Sequence, residues 1–441
     1  MDGQAGISIR HNHTPSKACA ESIHETIHLF GRQIMSCPNP IDSLSFDQPM
    51  RKIRHRANTS PTLRSSKPYS KSQVIGLISV SLGWMAWVVM HGNGLSFNML
   101  EGNTLIFGLA AGIFMLMLGC VLSVVRNADH LADLLPEPYG TLVLTLSSTI
   151  IEVSLMLQVM MNGKENPALL RDTVFAILMI SMNGMVGMAI TSGGWLHREQ
   201  GFNLRGALSF VQLITPLSLM LLIMPNYTTS TDGPTLDLHQ ETYLGMLCIV
   251  VYVLFLMLQT GRHRSYFNHL DAAMEDEPTR PHIPVEHDRN LKTILKVIMG
   301  LLVSLIPVVL LSEYLGEAIN YGIDELDAPT ALGGLIIASL GLTSEGIGAI
   351  RAAMANRMQR SVNICLGSAL STIGLTVPTI LIVASFLGIE LTLGLEATNA
   401  TLLLATLLIT IMTFVSGGAN ILQGIVHLTL FVGYFIFILF P

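Results

Sequence analysis

Glu152 and Glu345 each stand inside a long apolar stretch, "LVLTLSSTIIEVSLMLQVM" and "GGLIIASLGLTSEGIGAI". The other membrane-length stretches carry no Asp or Glu well away from an end. A carboxylate at mid-bilayer depth costs roughly 2.5–3.5 kcal/mol on insertion scales, so packing alone does not explain one there. Ser147, Ser148 and Thr149 flank the first glutamate, and Thr343 and Ser344 flank the second. Carboxylate, hydroxyl and helix-end carbonyl together form an all-oxygen ligand set, which suits a hard cation such as Ca²⁺ or Na⁺. The chemistry of this chain is expected at that pair.

The elements that must position the pair are membrane helices. Half of the 441 residues are hydrophobic and only 12% are charged, with a mean hydropathy of +0.55. Such values exclude an ordinary soluble domain and point to a polytopic membrane protein whose partner is the lipid bilayer. A spanning helix needs about 20 apolar residues at about 1.5 Å each. Eleven stretches qualify: 73–90, 104–125, 138–161, 173–194, 206–225, 241–260, 294–313, 328–348, 362–386, 398–416 and 421–440. With the N-terminus cytosolic, all of the 24 Lys and Arg except Lys164 and Arg171 fall on the cytosolic side. The positive-inside rule therefore predicts eleven spans with the N-terminus in and the C-terminus out.

Residues 1–72 are polar, basic and rich in Ser, Pro and His, and they read as a disordered cytosolic tail rather than a signal peptide. A short helical patch there sets His24 and His28 four apart. Two His make an incomplete metal site, and a solvated helix face is the simpler reading. The segment 261–293 is the longest polar stretch between spans. It divides the membrane part into two halves of five helices, 104–260 and 294–441, with the span 73–90 set aside. Each half places its glutamate in its second helix. Each also carries a Gly-Gly phrase ahead of what reads as its last helix, "TSGGW" at Thr191–Trp195 and "VSGGAN" at Val415–Asn420. An odd number of spans per half predicts inverted repeats with a mid-membrane site between them, the arrangement of alternating-access transporters.

Small and hydroxyl residues crowd the neighbouring helices. "MISMNGMVGMAITSGG" carries Asn183 among glycines, and "ICLGSALSTIGLTVP" carries Gly367, Ser368, Ser371, Gly374 and Pro378. Such residues let helices approach closely and bond across them, and Pro378 can leave a carbonyl free to face a cavity. His427 stands about two turns inside the last span, where it fits either a proton relay or a satisfied helix-end histidine. Arg351 reads as the cytosolic end of its helix, its long stem snorkelling to the surface. The 24 methionines read as core filler. The five cysteines have no disulfide or zinc spacing. There is no phosphate-binding loop and no nucleophile elbow, and no nucleic-acid partner is expected.

The stretch "EGIGAIRAAMANRMQRSVNICLGSALSTIGLTVP" and, in the first half, "ADHLADLLPEPYGTLVLTLSSTIIEV" resemble the cation/proton exchangers of the calcium/cation antiporter superfamily, especially the bacterial calcium/sodium–proton antiporter branch. The likeness covers about residues 104–441. It implies an all-α fold of one N-terminal span plus two inverted repeats, in a bacterial inner membrane. It also implies that Glu152 and Glu345 bind the cation and exchange it for protons. On this resemblance Asn183 matches the amide of the first repeat, and Ser368 matches the Gly-Ser pair of the second. Ser148-Thr149 stands in place of Gly-Asn, Leu342 in place of Asn and Ser371 in place of Gln, which leaves fewer amide oxygens for choosing between Ca²⁺ and Na⁺. No bound cofactor is expected, the cations and protons being cargo. A sodium/proton antiporter, a cation channel and a membrane-embedded enzyme stay open as rivals, although the outer loops are short and poor in catalytic clusters.

Overall fold

The computed structural model describes residues 71–94, 103–135, 139–162, 167–267 and 291–440. Nearly all of the 1–72 tail, with His24 and His28, and residues 268–290 of the linker lie outside them. Among the described residues, eleven helices are long and apolar enough to cross a membrane. They are α1 (Lys71–Gly92), α2 (Asn103–Leu134), α3 (Tyr139–Asn162) and α4 (Leu169–His197). Then come α5 (Leu204–Leu222), α6 (Leu238–Thr260), α7 (Leu291–Glu325) and α8 (Ala331–Met354). The last three are α9 (Met358–Leu387), α10 (Ala397–Val415) and α11 (Ile421–Leu439). Each expected stretch has its helix.

α2 and α7 run furthest beyond their expected ends. Both keep a helical stripe of buried residues past the apolar run, Val121, Val124, Ala128 and Leu131 on one and Leu311, Leu315, Ala318 and Ile319 on the other. The two helices pack on each other, and Asn127 of α2 donates to the Gly300 carbonyl and Ser304 hydroxyl of α7, at 3.1 and 3.0 Å. The extension of α7 carries Glu313, the last residue of its expected stretch, and Glu317 beyond it, with Glu313 exposed and Glu317 only half-buried. Arg351 is exposed in the last turn of α8.

Glycines set the tightest crossings. A Cβ added at Gly334 of α8 would lie 2.7 Å from the Thr173 nitrogen of α4, so these two backbones touch. Gly424 of α11 lies equally close to Thr191, with 2.7 Å to its nitrogen. Close backbone approach through small residues is how membrane helices gain contact without a hydrophobic drive. At the start of α4, Arg171 bonds Asp172 at 2.8 Å and the Gly394 carbonyl at 3.3 Å, fixing the extended segment before α10.

The Gly-Gly phrases are out of register with each other. Thr191–Trp195 lies within α4, the third helix of its half, whereas Val415–Asn420 follows α10, the fourth of its half. They are not equivalent positions. The segments just past them meet instead: β1 (Glu199–Gly201) pairs antiparallel with β2 (Gly418–Asn420), Gln200 opposite Ala419. Their likeness comes from a shared need for small residues at a crowded crossing, where Gly194 abuts the Ile421 backbone.

One local feature does recur at matching positions. α4 and α9, the third helices of the two halves, each contain a π-turn, Ile180–Met185 and Thr372–Thr376. A π-turn adds a residue to the helix circumference, frees carbonyls from the regular ladder and re-aims the side chains around it.

Candidate functional site

α3 and α8 bring the two glutamates to one place. The Ser148 hydroxyl, one turn before Glu152, donates to Glu345 Oε1 at 3.3 Å. Gly341, one turn before Glu345, faces Glu152, with 3.4 Å between an added Cβ and Glu152 Cγ. Each glutamate thus meets the residue one turn ahead of the other, which requires the two helices to cross antiparallel.

Glu152 is 3% exposed. Its Oε2 accepts from Thr376 at 2.6 Å and from Thr372 at 3.2 Å. Both threonines come from the π-turn of α9, and their i, i+4 spacing sets both hydroxyls on one face, toward one carboxylate. The Thr376 contact is at the short end of the hydroxyl–oxygen range. Glu345 is only half-buried as a residue. The Ser368 hydroxyl faces its carboxyl beside Ser148. Its Oε2 atom is buried and accepts no hydrogen bond among the described residues, and the same holds for Ser344 Oγ. Two carboxylates, several hydroxyls and two oxygens without a protein partner can hold a small hard cation or a proton.

The remaining expected ligands divide. Thr343 donates to the Ser339 carbonyl at 2.5 Å and Ser371 to the Ser368 carbonyl at 2.9 Å, so both serve their own helix. Ser147 likewise bonds the Val143 carbonyl at 2.7 Å. Thr149 is buried on α3 and bonds neither carboxylate among the described residues. Asn183 lies in the π-turn of α4 and bonds neither glutamate; its amide joins Thr406 of α10 at 2.8 Å and His427 of α11 at 3.1 Å. His427 is no helix-end residue: it is 0% exposed, and its other ring nitrogen meets Thr413 at 3.0 Å.

Four contributors went unread in the sequence: Thr372, Thr376, Thr406 and Tyr252, whose phenol bonds Thr145 of α3 and stands near Glu345. The i, i+4 threonine pair just ahead of Pro378 was the one available signal.

The sodium/calcium exchanger protein family matches residues 104–261 and 296–440. A protein of Sinorhizobium fredii, named an ionic transporter, y4hA, is 36% identical over 332 residues, covering 75% of this chain and 88% of that one. The sodium-potassium/proton antiporter ChaA of Escherichia coli is 35% identical over 320 residues, covering 72% and 85%. The solved structure of native YfkE shares the fold with a TM-score of 0.64 at 17% identity, over 83% of this chain and 100% of that one.

Proposed function

The chain belongs to the sodium/calcium exchanger protein family, and we propose that it is a cation/proton antiporter, exchanging Na⁺ and/or Ca²⁺ for H⁺ by alternating access. It is a transporter and not an enzyme. The observation that carries this reading is the meeting of Glu152 and Glu345 across antiparallel helices with Glu345 Oε2 left without a protein donor. The cation is cargo. Glu152, Glu345, Ser148, Ser344 and Ser368 supply oxygens to it, Thr372 and Thr376 hold Glu152, and Asn183 flanks the site. Proton and cation compete for the same carboxylate oxygens, so a site loaded with one releases the other. No resident cofactor enters this cycle.

Two inverted repeats, α2–α6 and α7–α11, fit the reciprocal contacts of Glu152 and Glu345, and the π-turns in the third helix of each half support them. The distribution of Lys and Arg supports a cytosolic N-terminus and an outer C-terminus in a bacterial inner membrane. The burial of Glu152 under two threonines favours an occluded carrier over a channel. The test is cation-dependent dequenching of a pH dye in everted vesicles, with Na⁺, K⁺ and Ca²⁺ compared. Exchange with at least one cation is expected; dissipation of the pH gradient without cation coupling, or no response to any of the three, defeats the reading.

A further inference from the structure

We propose that His427 is a positioning residue for the cation site, fixing the Asn183 amide and the π-turn of α4 so that they set cation affinity while His427 itself stays clear of the ion. The proposal rests on the antiport reading above, in which Asn183 flanks the bound cation.

Hydrogen-bond directions determine how the histidine is wired. Asn183 Nδ2 donates to Thr406 Oγ1 at 2.8 Å, so Oδ1 is the atom facing His427 Nδ1 at 3.1 Å. An acceptor opposite Nδ1 requires that nitrogen to carry the hydrogen. Nε2 is then the acceptor, and the Thr413 hydroxyl donates to it at 3.0 Å. A neutral imidazole in this one tautomer is satisfied at both nitrogens and holds the amide plane in one orientation. Oδ1 keeps a second lone pair free for another partner.

The same ring serves the backbone. Within the π-turn, the Val186 N–H donates to the Ser181 and Asn183 carbonyls and passes over that of Met182. The Met182 carbonyl faces the His427 ring. The turn in turn abuts the glutamate helix, since a Cβ added at Gly346, next to Glu345, would lie 3.4 Å from Met185 Cγ. α11 cannot slide to relax these bonds. A Cβ added at Gly187 would lie 2.9 Å from Leu428 Cγ, and one added at Gly424 would lie 3.0 Å from the Gly187 carbonyl. A buried histidine used only for packing would not need polar partners on two other helices, Asn183 on α4 and Thr413 on α10.

The experiment titrates Na⁺, K⁺ and Ca²⁺ against the thermal unfolding of the full chain in detergent, which reads affinity without transport. Exchange in proteoliposomes is measured alongside for KM and kcat. His427→Ala should weaken affinity and raise KM by about tenfold, the effect of one buried hydrogen bond left uncompensated, with kcat little changed. His427→Asn, whose amide nitrogen reaches the Nδ1 position, should restore affinity to within about threefold; His427→Gln, which reaches the Nε2 position instead, should not. In an Asn183→Ala background, His427→Ala should add almost nothing, because coupled residues are not additive. Wild-type affinity in His427→Ala overturns the proposal, and so does full additivity with Asn183→Ala. If His427→Ala does not fold, wild-type affinity in His427→Gln overturns it equally. Cation binding without proton exchange by the wild type removes the antiport reading while the affinity series still decides the role of His427. Binding of none of the three cations overturns both.

Discussion

Ser148 and Glu345 are 197 residues apart in the chain and hydrogen-bonded at 3.3 Å. The contact matters because it has a counterpart, Glu152 against Gly341, with the roles of the two helices exchanged. A pair of contacts of this kind is what a local two-fold relation between α3 and α8 produces. Under the antiport reading proposed above, such a relation would let the motion that presents one carboxylate to its side of the membrane withdraw the other.

Cysteines placed at Ser148 and Glu345 should crosslink. In a background with the five native cysteines replaced, and with a protease site engineered between residues 268 and 290, oxidation should keep the cleaved halves together on a non-reducing gel. A disulfide requires Cα atoms within about 7 Å, and a short bifunctional thiol reagent spans the longer reach of the replaced glutamate, so halves that separate after both treatments would show that α3 and α8 do not cross here.

Glycine-to-alanine changes on α8 should split into two classes. At Gly334 the new methyl meets backbone nitrogen at 2.7 Å, and the change should destabilise by about 1–3 kcal/mol, as overpacking does. At Gly341 it meets Glu152 Cγ at an ordinary 3.4 Å, so stability should hold while cation KM shifts. Thermal unfolding and transport of both variants check this; equal melting temperatures would contradict the close crossing of α8 with α4.

Thr376→Val keeps the side-chain shape and removes the 2.6 Å bond to Glu152. Loss of a hydrogen bond to a buried acceptor costs about 1–3 kcal/mol. Cation affinity should therefore fall about tenfold, with Thr372→Val milder because its bond is longer, 3.2 Å. The check is KM for each cation in reconstituted vesicles, and unchanged KM in both variants would leave Glu152 outside the site.

The eleven spans were legible because a run of apolar residues has few other uses, and the glutamate pair was legible because its burial in lipid is costly. What lay beyond reach has a common physical cause. A membrane threonine usually bonds its own helix, as Thr343 and Thr379 do and as Thr372 does while also reaching Glu152, so beyond their i, i+4 spacing nothing in the sequence marks Thr372 and Thr376 as partners of a carboxylate. Asn183 was legible as an amide among glycines that bonds across helices, while its partners, Thr406 and His427, depend on how α10 and α11 pack. The lengths of α2 and α7 were underread because a helix can leave the bilayer without ending. The paired Gly-Gly phrases misled because crowding selects small residues at unrelated positions.

Apparent cation affinity should fall as pH is lowered. Protons and cations compete for the same carboxylate oxygens, so acid adds a competitor. The sign follows: KM for the cation rises toward low pH, while the rate at saturating cation changes little. A KM independent of pH, with the proton gradient held constant, would argue that protons travel by another route.

Replacing either glutamate by glutamine tests the exchange itself. Glu345→Gln keeps the shape and hydrogen bonding of the side chain but removes its charge and its titratable proton. If one carboxylate carries cation in one direction and proton in the other, the change should abolish cation uptake and coupled proton release together. Glu152→Gln should do the same, because a desolvated cation needs its charge neutralised nearby. The structure adds a distinction between them. Glu152 is held by Thr372 and Thr376, which can reorient to an amide, so its glutamine variant should fold and bind poorly. Glu345 Oε2 has no protein donor to lose, so its glutamine variant should be at least as stable as the parent, since a neutral amide is easier to bury. Glu→Asp should be milder at both places, keeping the charge while shortening reach by about 1.5 Å, one C–C bond. A purely structural role predicts the reverse order, with Gln tolerated and Asp harmful. The measurement is cation-dependent dequenching of a pH dye in everted vesicles, with abundance checked by blot, and wild-type exchange in either glutamine variant would remove that carboxylate from the mechanism.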